Sequence, residues 1–230
     1  MVMRIGIDFG GTKIEAAALD RSGAVVARLR RPNPGAYEGA LRTVGELVAA
    51  VEAETGRRGT VGVGMPGSVS PRTGLIRGAN STWLNGRTFR EDLEAALGRP
   101  VRLANDANCL ALSEASDGAA AGARVVFAVI VGTGCGGGLV VDGAIVEGAN
   151  GVGGEWGHAP LPWPTAEEQA VSPCWCGRPL CMELFVSGPG FEADHRRATG
   201  RDWRAPAIMA AARGGDGEAK AAFARWADRL

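Results

Sequence analysis

The sequence predicts an α/β protein built from two related halves that face each other across a ligand cleft. Three observations carry this expectation. Residues 3–31 and 125–146 run in the same order of strand, glycine turn, strand, tight turn and strand, which reads as an internal duplication of a three-stranded meander. The segments between them alternate helical and strand periodicity. Glycine makes up 36 of the 230 residues, about 16% against a usual ~7%. The excess sits in short runs at the predicted turns, where a missing Cβ lets the backbone approach another group closely.

In the first half, Met3–Asp8 forms a strand that enters the Gly10-Gly11-Thr12 turn. Lys13–Leu19 returns to a turn at Asp20–Gly23, and Ala24–Arg30 closes the meander. Leu41, Val44, Leu47, Val48 and Val51 share one face of a helix from Tyr37 to Glu54. Val61–Met65 reads as a buried strand stopped by Pro66-Gly67. A short helix over residues 90–97 leads to the strand Val101–Ala104, and Asn105-Asp106 opens a helix to Ser116. The breaker-rich run Gly118–Ala123 marks the junction and a hinge, so the expected domains are residues 1–117 and 118–230. In the second half, Val125–Val131 enters Gly132–Gly138, and Leu139–Val146 follows with a tight turn at Asp142-Gly143. From Asp216 onward, Ala219, Ala222, Phe223, Trp226, Ala227 and Leu230 keep helical spacing with no glycine, proline or cap to end it. The second domain is therefore expected to be incomplete.

Charge and composition narrow the function classes. Twenty-five Lys+Arg balance 25 Asp+Glu, which argues against a nucleic-acid groove or a membrane-adhering basic face. No apolar run approaches the ~20 residues of a membrane span, and the first strand begins too early for a signal peptide. Five cysteines, three of them within Cys174–Cys181, speak against a disulfide framework and for a reducing cytoplasm.

Four constellations carry chemistry. In Asp8-Phe-Gly-Gly-Thr-Lys13, the Gly10 and Gly11 amides, the Thr12 hydroxyl and the Lys13 ammonium suit a phosphate, and Asp8 suits Mg²⁺ held through water. Gly132-Thr133-Gly134-Cys135-Gly136-Gly137-Gly138 satisfies the G-x-G-x-x-G dinucleotide pattern, but that fingerprint opens a helix and the next element here is a strand. A second phosphate turn is the better reading, with the tips at Gly11 and Gly134 converging on one polyanion. Asn105-Asp106-Ala-Asn108 puts a carboxylate at the carboxyl end of a strand, where α/β folds hold ligands. Asp106 is thus the candidate general base for phosphoryl transfer, and a helix N-cap is the alternative use of the same residues. Finally, Cys174, Cys176 and Cys181 supply three thiolates, which one imidazole would complete into a closed, structural Zn²⁺ shell. His158 is the expected fourth ligand and His195 the competitor, while Cys109 and Cys135 read as core or loop residues.

These motifs, with Glu155-x-Gly-His158 and Cys-x-Glu183, occur in an order that resembles the ROK (repressor, open reading frame, kinase) sugar kinases from residue 3 to about residue 200. The resemblance implies the actin-like, ribonuclease-H-like ATPase fold and an ATP- and Mg²⁺-dependent hexose kinase. It implies that Asp106 deprotonates the sugar 6-hydroxyl and that Asn80, Asn105, Glu155, His158 and Glu183 bind the sugar. Asp8, Gly10, Gly11, Thr12, Lys13, Gly132, Thr133, Gly134 and Gly136 would form the ATP site. His158 would turn one ring nitrogen to zinc and the other to the sugar. Asn80–Gly86, Asp117–Gly122 and Glu155–Trp163 are similar to the bacterial fructokinases that also accept mannose; N-acetylglucosamine kinases and glucokinases come next.

Two departures from the family pattern bear on these expectations. Leu180 stands where the zinc segment has its second glycine, and leucine tolerates positive φ poorly, so a strained or reshaped loop is expected. Family chains also continue past residue 230 into a glycine-rich adenosine loop and a helix that returns to the first domain. A truncated sugar-binding protein without turnover is therefore one alternative expectation. A sugar-sensing repressor is another, although such proteins carry a helix-turn-helix where only Met1-Val-Met3 stands here. The expected partners are a hexose and ATP, with neither nucleic acid nor membrane and with a homodimer as the candidate assembly.

Overall fold

The computed structural model describes residues 3–230; Met1 and Val2, ahead of the first strand, lie outside the described residues. The chain divides into two compact units, Met1–Ser113 with Glu147–Gly153, and Glu114–Val146 with Gly154–Leu230. The boundary thus falls a few residues before the expected one after Asp117. The first unit also takes up the segment 147–153, which sequence reasoning left in the second half.

The first unit is organised by strand alternation. In β1 (Met3–Phe9), Met3, Ile5, Ile7 and Phe9 face inward while Arg4, Gly6 and Asp8 face outward. β2 (Lys13–Leu19) and β3 (Val25–Pro32) complete the antiparallel meander. The helix α1 (Tyr37–Thr55) crosses over to β4 (Gly59–Met65), which pairs parallel to β1. A hairpin of two-residue strands, β5 (Ser68–Val69) and β6 (Ile76–Arg77), precedes α2 (Phe89–Leu97) and β7 (Val101–Asn105). The resulting five-stranded sheet has the order β3-β2-β1-β4-β7. Val44, Leu47, Val48 and Val51 of α1 and Phe89 and Leu93 of α2 cover its inner face, each at most 1% exposed. Each such side chain contributes about 1.5–3 kcal/mol of transfer free energy. Gly56 (φ 65) and Gly98 (φ 60) close α1 and α2 in the left-handed conformation that favours glycine. The hairpin β5–β6 escaped sequence reading because two residues carry no periodicity.

The second unit begins within α3 (Asp106–Ser116). Its sheet, ordered β10-β9-β8, comprises β8 (Val125–Val131), β9 (Cys135–Val141) and β10 (Ala144–Ile145). Asp142 (φ 49) and Gly143 (φ 77) supply the two positive φ values of a tight hairpin turn. The strand starts inside the glycine run, so the turn proper is Gly132–Gly134, while Gly136, Gly137 and Gly138 pair with Ile130, Val129 and Ala128. A Cβ on Gly137 would lie 2.6 Å from the Ala128 oxygen and 3.0 Å from the Trp156 ring. One on Gly154 would strike the Gly137 oxygen, and one on Gly157 the Cys135 oxygen. The glycines therefore let the segment 154–157 lie flat against β9. Close approach was the right expectation, but for these residues the approaching backbone is the protein's own.

The rest of this unit is helical: α4 (Ala166–Gln169), α5 (Glu183–Val186), α6 (Gly188–Thr199), α7 (Ala205–Arg213) and α8 (Gly217–Arg229). Phe191, Ile208, Ala219 and Ala222 form a core under Trp203 and Trp226. The terminal helix is anchored by the Trp226 indole on the Val186 carbonyl at 2.8 Å and by Arg229 on both Glu168 oxygens at 2.9 and 2.8 Å. Among the described residues no helix is long and apolar enough to cross a membrane.

Candidate active site

In the first unit the candidate groups gather at the carboxyl ends of β1, β4 and β7. Asp8 lies in register with Gly64, and Gly64 with Ala104, so Asn105 and Asp106 follow one step beyond that row. The turn Gly10–Thr12 is propped from behind, with the Asn33 side-chain amide donating to the Gly10 carbonyl at 2.8 Å and the Asn33 N–H to the Thr12 carbonyl at 2.9 Å. No described residue takes up the Gly10, Gly11 or Thr12 amides, which suits an anion. Beside the turn, Asn85 brackets Ala79, accepting from its N–H at 2.9 Å and donating to its carbonyl at 3.0 Å. This pins the loop that carries the exposed Asn80.

The structure shows which residue of Asn105-Asp106 caps the helix. Asn105 is the helix cap, its Oδ1 accepting from the Ala107 and Asn108 amides at 2.9 and 3.2 Å. Its Nδ2 donates to the Gly67 carbonyl at 3.1 Å. Asp106, the first residue of α3, is left free of capping duty beyond the adjacent Ala107 amide at 2.9 Å. Its side chain reaches solvent, yet the dense protein around it raises its pKa by desolvation, and the negative charge of Asp8 adds to that. Burial and the same two carboxylates also push the Cys109 thiol up. A carboxylate with raised proton affinity is a better base. Asp8, a hard oxygen ligand at the end of β1, could hold Mg²⁺ together with water and phosphate oxygens. Gly67 went unremarked in the sequence beyond ending a strand. A Cβ there would sit 2.5 Å from the Arg77 oxygen and 2.7 Å from the Ala79 nitrogen, so the carbonyl that seats Asn105 requires glycine.

In the second unit, Gly132–Gly134 is closed by the Gly132 N–H on the Gly134 carbonyl at 2.9 Å and tied to α6 by the Gly188 N–H on the Gly132 carbonyl at 2.8 Å. The Cys135 amide donates to Glu183 Oε2 at 2.9 Å, while no described residue takes the Thr133 or Gly134 amide. Gly136, expected at the phosphate, lies within β9 and accepts the Trp156 indole N–H on its carbonyl at 2.6 Å. Glu155, half-buried, precedes the single turn Trp156–His158.

The expected metal ligands are together: one ligand atom from each of His158, Cys174, Cys176 and Cys181 lies within 4.8 Å of the others. Cys174 Sγ is 3.6 Å from His158 Nδ1, and Cys176 Sγ is 3.6 Å from Cys181 Sγ. A tetrahedron with Zn–S bonds of about 2.3 Å has edges of about 3.8 Å, so these two pairs already stand near the spacing that a Zn²⁺ ion requires. His158 faces the thiols through Nδ1, which leaves Nε2 for another partner. Burial pushes the Cys181 thiol up to about 12 and Cys174 upward as well, so a bound cation would have to drive their ionisation. His195 is excluded as a ligand: it is fully buried in α6 and stacked on Trp203 at 5.2 Å. Leu180 does adopt positive φ, 56°. Sequence reasoning missed Trp175, whose indole N–H donates to Glu183 Oε1 at 2.8 Å; its position between two metal ligands was the available signal.

This architecture is that of the actin-like ATPases. The chain is 39% identical over 222 residues to the N-acetyl-D-glucosamine kinase of Aliivibrio salmonicida, covering 94% of this chain and 74% of that protein. It is 40% identical over 224 residues to the N-acetyl-D-glucosamine kinase of Vibrio cholerae, covering 95% and 74%. Among solved structures, the ROK hexokinase from Thermus thermophilus matches with a TM-score of 0.86 at 34% identity, covering 98% of this chain and 74% of that one. A ROK family glucokinase from Streptomyces griseus, in complex with glucose and AMPPNP, matches with a TM-score of 0.74 at 28% identity, covering 98% and 75%. A profile of the ROK family matches residues 4–230, and the chain belongs to that family. The curated relatives are N-acetyl-D-glucosamine kinases, where the sequence had suggested fructokinases.

Proposed function

We propose that the protein transfers the γ-phosphoryl group of ATP to the 6-hydroxyl of a hexose, with N-acetylglucosamine as the leading acceptor and fructose, mannose and glucose as the competitors. Phosphoryl transfer asks the protein to position the hydroxyl, accept its proton and offset phosphate charge. Asp106 is the base in this reading, and Asn80, Asn105, Glu155, Glu183 and the Nε2 of His158 are its sugar-binding groups. The amides of Gly10–Thr12 and of Thr133 and Gly134, with Lys13, receive the phosphates. Mg²⁺, when bound, would offset charge on the β- and γ-phosphates, and Asp8 is the residue suited to hold it. Zinc at His158 and the three cysteines would set the tautomer of that imidazole.

The observation that carries the reading is the division of labour at Asn105-Asp106: the asparagine caps the helix and leaves the aspartate, with raised proton affinity, available as a base. The test is coupled ADP release with each of the four sugars, on the wild-type chain and on Asp106→Asn. N-Acetylglucosamine should give the highest kcat/KM, and the variant should lose about 10²–10⁴-fold in kcat while sugar still raises its Tm. Equal turnover by Asp106→Asn removes the base. Sugar-dependent stabilisation without ADP release from any of the four identifies a binder.

A further inference from the structure

We propose that Trp175 is a positioning residue for Glu183, and that its indole makes the metal loop a strut for the sugar-binding carboxylate. The proposal rests on the reading that Glu183 contacts the hexose. Trp175 stands between Cys174 and Cys176, and at 66% exposure it buries little of its ring. Its packing therefore gives a poor account of a large aromatic side chain at that position. Its polar end is engaged, with Nε1–H donating to Glu183 Oε1 at 2.8 Å. The other carboxylate oxygen accepts the Cys135 N–H at 2.9 Å. The two donors come from different segments, the metal loop and the start of β9, and they reach opposite oxygens of one group. Cys174 Sγ also lies 3.9 Å from Oε1; a carboxylate offers about four lone-pair positions, so at least one remains for a sugar hydroxyl. Gly134 closes the third side, because a Cβ there would lie 2.7 Å from Oε2. The indole and the His158 imidazole also meet in a T-shaped arrangement, with ring centroids 5.1 Å apart and an interplanar angle of 80°, so one indole contacts both polar side chains assigned to the sugar next to the metal.

A glutamate side chain has three rotatable bonds and loses its orientation when one of two fixing donors goes. Trp175→Phe keeps an aromatic ring beside His158 and deletes the N–H. The measurement is the dissociation constant for N-acetylglucosamine by calorimetry, with zinc content per chain determined on the same samples. Wild type, Trp175→Phe, Glu183→Ala and the double variant are compared. The expected result is a 5- to 10-fold weaker constant for Trp175→Phe at unchanged zinc content. Glu183→Ala should weaken it at least as much, and the double variant no further, since coupled residues are not additive.

An unchanged constant in Trp175→Phe beside a weakened Glu183→Ala overturns the proposal and leaves the assignment of Glu183 standing. An unchanged constant in Glu183→Ala, or no binding by wild type, overturns the assignment and the proposal with it. A further loss in the double variant would mean that Trp175 touches the sugar itself, and loss of zinc in Trp175→Phe would mean that it serves the metal. Either result overturns the proposal.

Discussion

Leu180 offers the sharpest test of how the metal loop is held. Its φ of 56° places an L-residue in the left-handed region, at about 1–2 kcal/mol. Three contacts hold it there. Its carbonyl accepts the Leu161 N–H at 2.6 Å, Cys181 bridges to Pro160, and the Met182 N–H donates to the Ala159 carbonyl at 2.9 Å. Its half-buried side chain packs on the cluster of Cys135, Leu161, Phe185 and Val186. About half of a full leucine burial, near 1 kcal/mol, is at stake in that packing.

Leu180→Ala keeps the Cβ and its strain but loses the packing, so it should destabilise by about 1 kcal/mol. Leu180→Gly loses the same packing, releases about 1–2 kcal/mol of strain, and adds about 0.5–1 kcal/mol of backbone entropy to the unfolded chain. Glycine should therefore exceed alanine by about 0.5–1 kcal/mol, the reverse of their usual order outside turns. Five of the six tryptophans lie in the second unit, so urea unfolding followed by tryptophan fluorescence reports on it directly. An alanine variant as stable as the glycine variant, at equal m-values, would refute the account of strain.

Two further predictions concern the metal and acid pH. Protein produced with zinc should carry one ion per chain, and a chelator should lower the Tm, since saturating metal at a thousand times its Kd contributes about 4 kcal/mol. Zinc-free protein whose Tm is indifferent to chelator would remove the metal site. In the first unit, Arg99 grips Glu52 through Nη1 and Nη2 at 2.6 and 2.8 Å, and this pair, helped by the Gly59 N–H, lowers the Glu52 pKa. A depressed carboxylate stabilises the fold above its unfolded pKa, and that contribution is lost as pH falls through the folded value. Glu52→Gln should therefore be less stable than wild type by about 1–3 kcal/mol at pH 7, with the gap closing below about pH 4. A gap of constant size between pH 7 and pH 3, in urea titrations, would refute this.

Much of the chemistry was legible because it is written in short spacings. Cys174, Cys176 and Cys181 span eight positions, and once the loop closes their sulfurs lie within 4.8 Å of one another and of a ring nitrogen of His158. The periodicity of α1 and the alternation of β1 report burial directly, and the glycines at 10, 11 and 132–134 mark turns whatever they bind. The same local signals misled in Gly136–Gly138, where a glycine run was taken for loop and is strand. Nothing local distinguishes a glycine that receives a ligand from one that receives Trp156 and the segment 154–157. The division between Asn105 and Asp106 was equally hidden, since either side chain can cap a helix.

Sequence alone determined the family and the meander that opens each half, and it singled out the four residues proposed for a metal and the aspartate proposed as base, because each depends on residue type at short separation. Tertiary structure alone decided that Glu183 meets the amide of Cys135, 48 residues away, that Trp175 takes its other oxygen, and that Arg99 closes on Glu52 across 47 residues. A hydrogen bond requires donor and acceptor within about 3 Å with aligned geometry. Along a chain, that closeness is set by how the whole core packs and not by any pattern of neighbours.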